Sequence, residues 1–341
     1  MVHPLSPQPG AAPWTRYWAT GALSSLPEVY GDPAEGPLAA VWRRELASLG
    51  NRACILDLGC GNGAVALLAA RTAAARGIHW EIHGVDAAAI DPTRAVRGRY
   101  RDSICDVTFH PGTPMSATPF ASGHFDLVAA QFAVEYGDPP QVLAEVGRVL
   151  RPGGRAAFVV HLQESAVVAT ARVELAQLQE VLAPGAVLDL AFAVLAASAG
   201  AASARERSFA WSAFAREVMR LDRIGSFQEA TWPTGTLRDV PATLRDVLTG
   251  AVDEVGGAAD PARAAACRSE LTDLAATLRD RSARLAELLS AAPDRAGMHR
   301  LIVIAGRLGL EVSRREDLHD TRGPLIAHAV TLDKRGRRLS A

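Results

Sequence analysis

Ile55-Leu56-Asp57-Leu58-Gly59-Cys60-Gly61-Asn62-Gly63 reads as an apolar strand carrying one carboxylate, then glycines at alternate positions, and an alanine-rich helix follows from Ala64. Such a turn lets a ligand lie against bare backbone at the carboxyl edge of a parallel sheet, where open α/β folds bind nucleotides. Asp57 can accept hydrogen bonds from a ligand's ammonium group, brace the glycine loop, or do both. The dinucleotide fingerprint places its third glycine three positions after the second, whereas Gly63 follows Gly61 by two. A tight strand-to-helix turn without a ligand needs the same glycines, so the turn alone admits several adenosine-bearing ligands.

The next strand narrows the choice. It ends Ile82-His83-Gly84-Val85-Asp86, and Asp86 stands 23 positions after Gly63, close to the offset of roughly 20 at which an acidic side chain reaches ribose hydroxyls. A carboxylate there accepts hydroxyl bonds and repels a ribose phosphate; the plainer role is to cap a helix after Ala87. Turn and carboxylate together select a nucleoside ligand.

These stretches are joined by Pro119-Phe120, Phe125-Asp126-Leu127-Val128 and Arg148-Val149-Leu150-Arg151-Pro152-Gly153-Gly154. In order and spacing, over roughly residues 50–161, the chain resembles the class I S-adenosylmethionine-dependent methyltransferases of the small-molecule and quinone-biosynthesis type. The resemblance implies a Rossmann-like fold and S-adenosyl-L-methionine as cofactor. It implies that Asp57, Gly59, Gly61, Asn62 and Gly63 hold the methionine portion and that Asp86, with Ala87, holds the ribose. Gly112 and Thr113 would edge the adenine, and Gln131 would lie at the cofactor's far side. The family often has an acidic residue where this chain has Thr113, whose hydroxyl accepts the adenine amino bond more weakly. The 152–154 turn is an exposed strand connection in the family and is assigned no chemistry.

From residue 53 strands alternate with helices, with strands expected over 53–58, 79–85, 103–109, 125–130 and 155–161 and helices over 64–76, 87–97 and 140–150. After a helix at 299–308, strands over 310–314 and 326–332 complete an α/β, doubly wound, mostly parallel seven-stranded sheet. Between 164 and 297 the strand signal gives way to alanines and apolar residues at helical spacing. The expected organisation is an N-terminal tail and helical cap over 1–49, a cofactor-binding α/β domain over 50–163 and 298–341, and a helical insertion over 164–297 before the last strands. The insertion would serve as substrate lid, homodimer surface or both. In it, 261–292 carries Leu271, Leu274, Leu278, Leu285 and Leu288 at spacings of 3, 4, 7 and 3, interrupted by Arg281, which predicts a two-helix packing seam. Breaks at 231–235 and 256–261 divide the block. Residues 1–13 are proline-rich and expected to be loose, and aromatic anchors follow at Trp14, Tyr17, Trp18, Tyr30 and Trp42.

With 341 residues, 49% of them hydrophobic, the chain can bury a large core, and 36 basic against 37 acidic residues leave a formal charge of −1. That balance offers no general field for nucleic acid or an anionic membrane, and neither partner is expected. Cys54, Cys60, Cys105 and Cys267 have no disulfide-framework spacing, so a reduced, cytoplasmic setting is expected. No signal peptide is read in 1–13. Residues 186–204 approach membrane length, but Asp189 and the many small residues favour a buried helix. No His, Cys, Asp and Glu group has metal-site spacing, so no metal is expected, and His110 and His124 are assigned structural or exposed roles.

A sulfonium is already activated, so methyl transfer mainly needs alignment and exclusion of water; a base is needed only when the acceptor is not already nucleophilic. Two candidate catalytic residues stand at strand ends facing the cofactor. His161 could take a proton from a hydroxyl or amine, or simply fix the start of the insertion. Glu135 could do the same, bind a cationic acceptor, or brace its loop. Tyr136 beside it is expected to shape the acceptor pocket. Tyr17 and Trp18, with Trp14 one helical turn before Trp18, are the candidate cap over the site, core packing being the plainer role. The expected function is S-adenosylmethionine-dependent methyl transfer to a small organic acceptor. Its rivals are a nucleic-acid or protein methyltransferase, a non-catalytic cofactor-binding scaffold, and an NAD-dependent dehydrogenase, the last disfavoured by the glycine spacing.

Overall fold

Asp138 ends a loop and starts a helix: its side chain accepts a hydrogen bond from the Gln141 amide and a proline occupies the first helical turn. The helix after the glycine turn begins differently. Its N-cap is Gly63, at φ 80, with no side-chain cap, so the first amides of that helix are left for other partners at the carboxyl edge of the sheet. The computed structural model in which these elements are seen describes residues 11–25, 35–229, 236–252, 255–320 and 323–336. Tyr30, the break at 231–235 and residues 1–10 of the expected loose tail lie outside the described residues; residues 11–13 are the start of a helix.

The chain divides into two units, residues 1–169 with 287–341, and residues 170–286. The first holds α1 (Ala11–Trp18), α2 (Gly36–Ala47), β1 (Cys54–Leu58), α3 (Ala64–Ala75), β2 (Glu81–Asp86), α4 (Pro92–Ala95), α5 (Arg101–Ile104), β3 (Thr108–Pro111), β4 (Phe125–Gln131), α6 (Pro139–Val149) and β5 (Leu150–Val160). Helix α7 (Ala166–Leu182) then leaves the unit, and α11 (Pro261–Ala291) returns to it ahead of α12 (Arg295–Arg307), β6 (Leu310–His319) and β7 (Leu325–Lys334).

The seven strands form one sheet in the order β3-β2-β1-β4-β5-β7-β6. β7 runs antiparallel to both of its neighbours, and the remaining pairings are parallel. Strand order reverses between β1 and β4, and this switch point opens a crevice at the carboxyl ends of the strands. Ile55, Leu56, Leu127 and Val128 of those two central strands are wholly buried, as expected for parallel strands covered on both faces. The edge strand β6 instead exposes Arg314 and Arg315, charges that discourage pairing with another chain.

Three local expectations shift. Residues 103–104 belong to α5 rather than to β3, because Ile104 packs with Leu67, Val96 and Tyr100 beneath the helix layer. The expected helix over 87–97 is only α4, capped by Asp91, whose side chain accepts from the Arg94 amide. The 152–154 turn lies inside β5, where the register against β4 shifts between Phe125 and Leu127.

The second unit is helical. It comprises α8 (Val187–Ala199), α9 (Ala204–Glu229) and α10 (Thr236–Gly250), with most of α7 and α11. Leu195, Phe214, Leu221 and Leu244 are buried. Residues 166–199 are the stretch long and apolar enough to cross a membrane among the described residues. Here they are two helices parted by a turn at Gly185, φ 75, with Val187, Leu188 and Val194 buried. Leu271, Leu278, Leu285 and Leu288 are also buried within the chain, so the leucine stripe is occupied by intrachain packing.

Candidate active site

The glycine loop is held from two sides. Asp86 closes β2 and accepts from the Gly61 amide (2.8 Å) through one oxygen and from the Ala88 amide (2.8 Å) through the other. Asp57 accepts from the Ala66 amide in the first turn of α3 (3.1 Å). Each carboxylate thus braces backbone, and both also line a cavity of about 550 Å³ at the switch point. Burial, opposed in part by the Ala66 bond and reinforced by the charge of Asp86, pushes the Asp57 carboxyl up to about 7. Burial also raises Asp86, against the Ala88 and Gly61 bonds. Cys60 sits in the same loop with its thiol pushed well above the usual range by burial and by Asp57 and Asp86, so it is a small packed side chain and not a nucleophile.

Two of the glycines are required by geometry. Gly59 has φ 60, and an added Cβ would come 2.5 Å from the Ala133 Cβ; Gly61 has φ 51, and a Cβ there would come 2.5 Å from the Trp18 ring. Trp18 therefore lies directly over bare backbone. It is held there by Asn62, whose amide donates to the Trp18 and Ala22 carbonyls at 2.8 Å each. Trp14 stacks on Trp18 (centroids 5.8 Å apart), meets Tyr136 edge to face (6.0 Å), and donates its indole N–H to Glu287 Oε2 at 2.7 Å. Burial, then the charges of Glu135 and Glu287, hold the Tyr136 phenol well above its usual pKa.

At the ends of β4 and β5 lies the second charged feature. Glu135 Oε1 accepts from the His161 amide (3.0 Å) and sits 2.8 Å from His161 Nδ1. Both side chains are 1% exposed. Glu135 Oε2 is buried with no hydrogen-bond partner among the described residues, and Glu135 lines the cavity. Phe132, at φ 55 the single non-glycine residue with positive φ among the described residues, stacks on the His161 ring at 4.1 Å. A backbone held in that region by its surroundings is typical of functional turns.

The sequence-predicted residues fall into two groups. Asp57, Gly59, Asp86, Ala87, Gln131, Glu135, Trp18 and Tyr136 are on the cavity wall. Gly61, Asn62, Gly63, Gly112 and Thr113 are not on it. The Gly112 amide donates to the Ala88 carbonyl (3.1 Å) and the Thr113 amide to the Asp86 carbonyl (2.8 Å), while Pro114, Met115 and Ser116 supply the wall itself. Tyr17 donates its hydroxyl to the Ser24 carbonyl (2.6 Å), and His161 stands behind Glu135. Gln131 Oε1 is taken by the Trp42 indole N–H (2.6 Å). The wall also includes Trp14, Phe132 and Glu287. Trp14 shares its helix face with Trp18, which is a sequence signal. Glu287, at the far end of a long helix, gives none.

The cradle fits an S-adenosyl nucleoside. Gly59 backbone and the Trp18 ring that covers Gly61 lie on its wall, beside the buried carboxylates of Asp57 and Asp86 for hydroxyl and ammonium donors. Residues 55–154 match the family described as a methyltransferase domain. Malonyl-[acyl-carrier protein] O-methyltransferase from Pseudescherichia vulneris is 32% identical over 116 residues, 33% of this chain and 41% of that protein. The 2-phytyl-1,4-naphtoquinone methyltransferase of Synechococcus elongatus is 31% identical over 149 residues, 41% of this chain and 61% of that protein. The chain thus spans less than two thirds of these relatives' own length. Among solved structures, geranyl diphosphate C-methyltransferase from Streptomyces coelicolor A3(2) matches with a TM-score of 0.44 at 13% identity, covering 96% of this chain and all of that one.

Proposed function

We propose that this chain, whose residues 55–154 form a class I S-adenosylmethionine-dependent methyltransferase domain, moves a methyl group from that cofactor to a small organic acceptor. The observation that carries the reading is the Glu135 carboxylate. One oxygen is fixed by His161, the other is buried with no hydrogen-bond partner among the described residues, and Glu135 is on the wall of the cavity that the glycine loop borders. When bound, the cofactor supplies the electrophilic methyl. Asp86 would hold the ribose hydroxyls and Asp57 the ammonium, and Trp14 and Trp18 would exclude water. Glu135 would accept a hydrogen bond, and then the proton, from the hydroxyl or amine that is methylated, while His161 fixes its orientation. One relative is named for malonyl-[acyl-carrier protein] and another for a naphthoquinone, which supports an organic acceptor rather than nucleic acid. Incubating a cell extract with the enzyme and isotopically methyl-labelled cofactor, followed by mass spectrometry, tests this. Label appearing in nucleic acid or protein alone would overturn the small-acceptor reading.

The lid and dimer roles of the helical unit belong to the same proposal. The chain re-enters the first unit at Glu287, itself on the cavity wall, which supports a part in acceptor binding; protection of 170–286 from proteolysis by cofactor product would test it. Because the leucine stripe is buried, the dimer proposal rests on the exposed Phe209 and Met219 of α9, and a monomeric mass in solution would end it. All four cysteines are free, in keeping with a cytoplasmic setting.

A further inference from the structure

At the opposite end of the sheet from the cavity, the fold collects residues that no sequence spacing links. Cys54 begins β1, Glu81 begins β2 with His83 two residues on, His110 lies in β3, and His124 immediately precedes β4. Three histidines, a thiol and a carboxylate converge there. Cys54 Sγ is 3.3 Å from Glu81 Oε2, and His124 Nε2 is 3.3 Å from Glu81 Oε1. Donor atoms of Cys54, Glu81 and His124 all lie within 4.8 Å of one another. In a tetrahedral zinc site with bonds of about 2.0–2.3 Å, ligand atoms are about 3.5 Å apart; here the carboxylate stands between thiol and imidazole, meeting each through a different oxygen, and one donor atom from each residue lies within 4.8 Å of the others.

We propose that Cys54, Glu81 and His124 bind a zinc ion at the amino edge of the sheet. Thiolate, carboxylate and neutral imidazole are the donor types that this borderline-soft cation takes, and the two anions balance its charge. Asp126 and Arg151, the other charged groups beside Cys54, form an ion pair with each other at 2.5 Å and leave that balance unchanged. The outer partners are also in place. His83 Nε2 lies 2.8 Å from Glu81 Oε1, and His83 Nδ1 lies 3.1 Å from His110 Nε2. With the ion bound, a chain in which His110 donates to His83 and His83 to Glu81 would orient the carboxylate as outer partners do in known metal sites. Glu81 is half exposed and His124 a third exposed, so the ion has a path in, and solvent completes the coordination. β1 separates this edge from the glycine loop by about 13 Å at the strand rise per residue. The ion would tie the starts of β1 and β2 to the segment entering β4, with no part in methyl transfer.

Tag-free, full-length protein is titrated with Co2+ and then Zn2+. One equivalent of cobalt should bind with an intense sulfur-to-metal charge-transfer band, and zinc should displace it. Zinc at about a hundredfold excess over its dissociation constant should raise the melting temperature by roughly 4–6 °C. Cys54→Ser should abolish the charge-transfer band, and His124→Ala should weaken binding at least tenfold. His83→Ala, acting through Glu81, should retain the band while weakening affinity about 10- to 100-fold. Cys105→Ser, which removes an exposed thiol elsewhere, should change none of these. Absence of the band in wild type, or its persistence in a Cys54→Ser variant shown folded by circular dichroism, would overturn the proposal.

Discussion

Glu135 and His161 form a pair in which one carboxylate oxygen holds both the amide and the Nδ1 of the histidine, and the other oxygen has no partner among the described residues. The order of the two candidate bases follows from this. Glu135 is on the cavity wall and His161 is not, so the proposal gives proton transfer to Glu135 and its positioning to His161.

Glu135→Gln keeps the shape and loses the basicity. Turnover should fall about a hundredfold with an acceptor that must lose a proton, while affinity for S-adenosylhomocysteine, measured by calorimetry, stays within about twofold. His161→Ala should lower kcat less, and His161→Asn, which preserves a donor toward Glu135, should recover part of the loss. Equal falls in activity and melting temperature for all three variants would assign the pair to packing alone.

Asp86 braces the loop through the Gly61 and Ala88 amides and is proposed to hold the ribose as well. Asp86→Ala removes charge-assisted bonds to ribose and should weaken cofactor binding by about 1.5–3 kcal/mol. It also frees the Gly61 amide held at 2.8 Å, so the ligand-free protein should melt lower as well. Calorimetry on a folded Asp86→Ala variant with wild-type affinity would remove Asp86 from the ribose site.

The glycine turn, Asp86 and the strand–helix alternation were legible because backbone geometry and strand period write themselves into local sequence. Most of the cavity's floor follows from them. What was not legible depends on side chains meeting across long separations. Ile104 serves helix packing, which hid the true start of β3. Glu287 joins the wall from a helix with no motif. Cys54, Glu81 and His124 meet only because β1, β2 and β4 are neighbours, an adjacency that spacing rules for metal ligands do not consider. His161 and Glu135 both follow strands at the correct edge, and chain direction alone does not tell which of two facing side chains lines the cavity.

Asp57 gives the site a pH dependence of definite sign. Its carboxyl is raised from 3.8 to about 7 in the folded, ligand-free protein, so the folded state holds a proton that the unfolded state releases above about pH 4. The contribution to stability is complete below that pH and is lost as pH rises through about 7. Thermal melts should show this part of the stability declining across pH 4–7, and Asp57→Asn should flatten the decline. An ammonium placed beside Asp57 restores the ionised form, so cofactor binding near pH 6 should release protons. Calorimetry in buffers of different ionisation enthalpy reads that release, and its absence in wild type would place the ammonium elsewhere.

Gly61 and Gly77 allow the cover over the glycine loop to be separated from backbone strain. Both have positive φ, 51 and 63, but an added Cβ at Gly61 meets the Trp18 ring, while at Gly77 nothing lies within 4 Å. Alanine at Gly77 should therefore cost only the left-handed backbone, about 1–2 kcal/mol. Alanine at Gly61 bears the same strain and must also displace Trp18 from the cavity wall, so it should be more destabilising and should weaken cofactor binding at least tenfold. Adding Trp18→Ala removes the obstructing ring, and the double variant should then be less destabilised than the sum of the two single changes, since the residues are in direct contact. Strict additivity in melting and binding, or equal effects of the two glycine substitutions, would show that Trp18 does not sit over the loop.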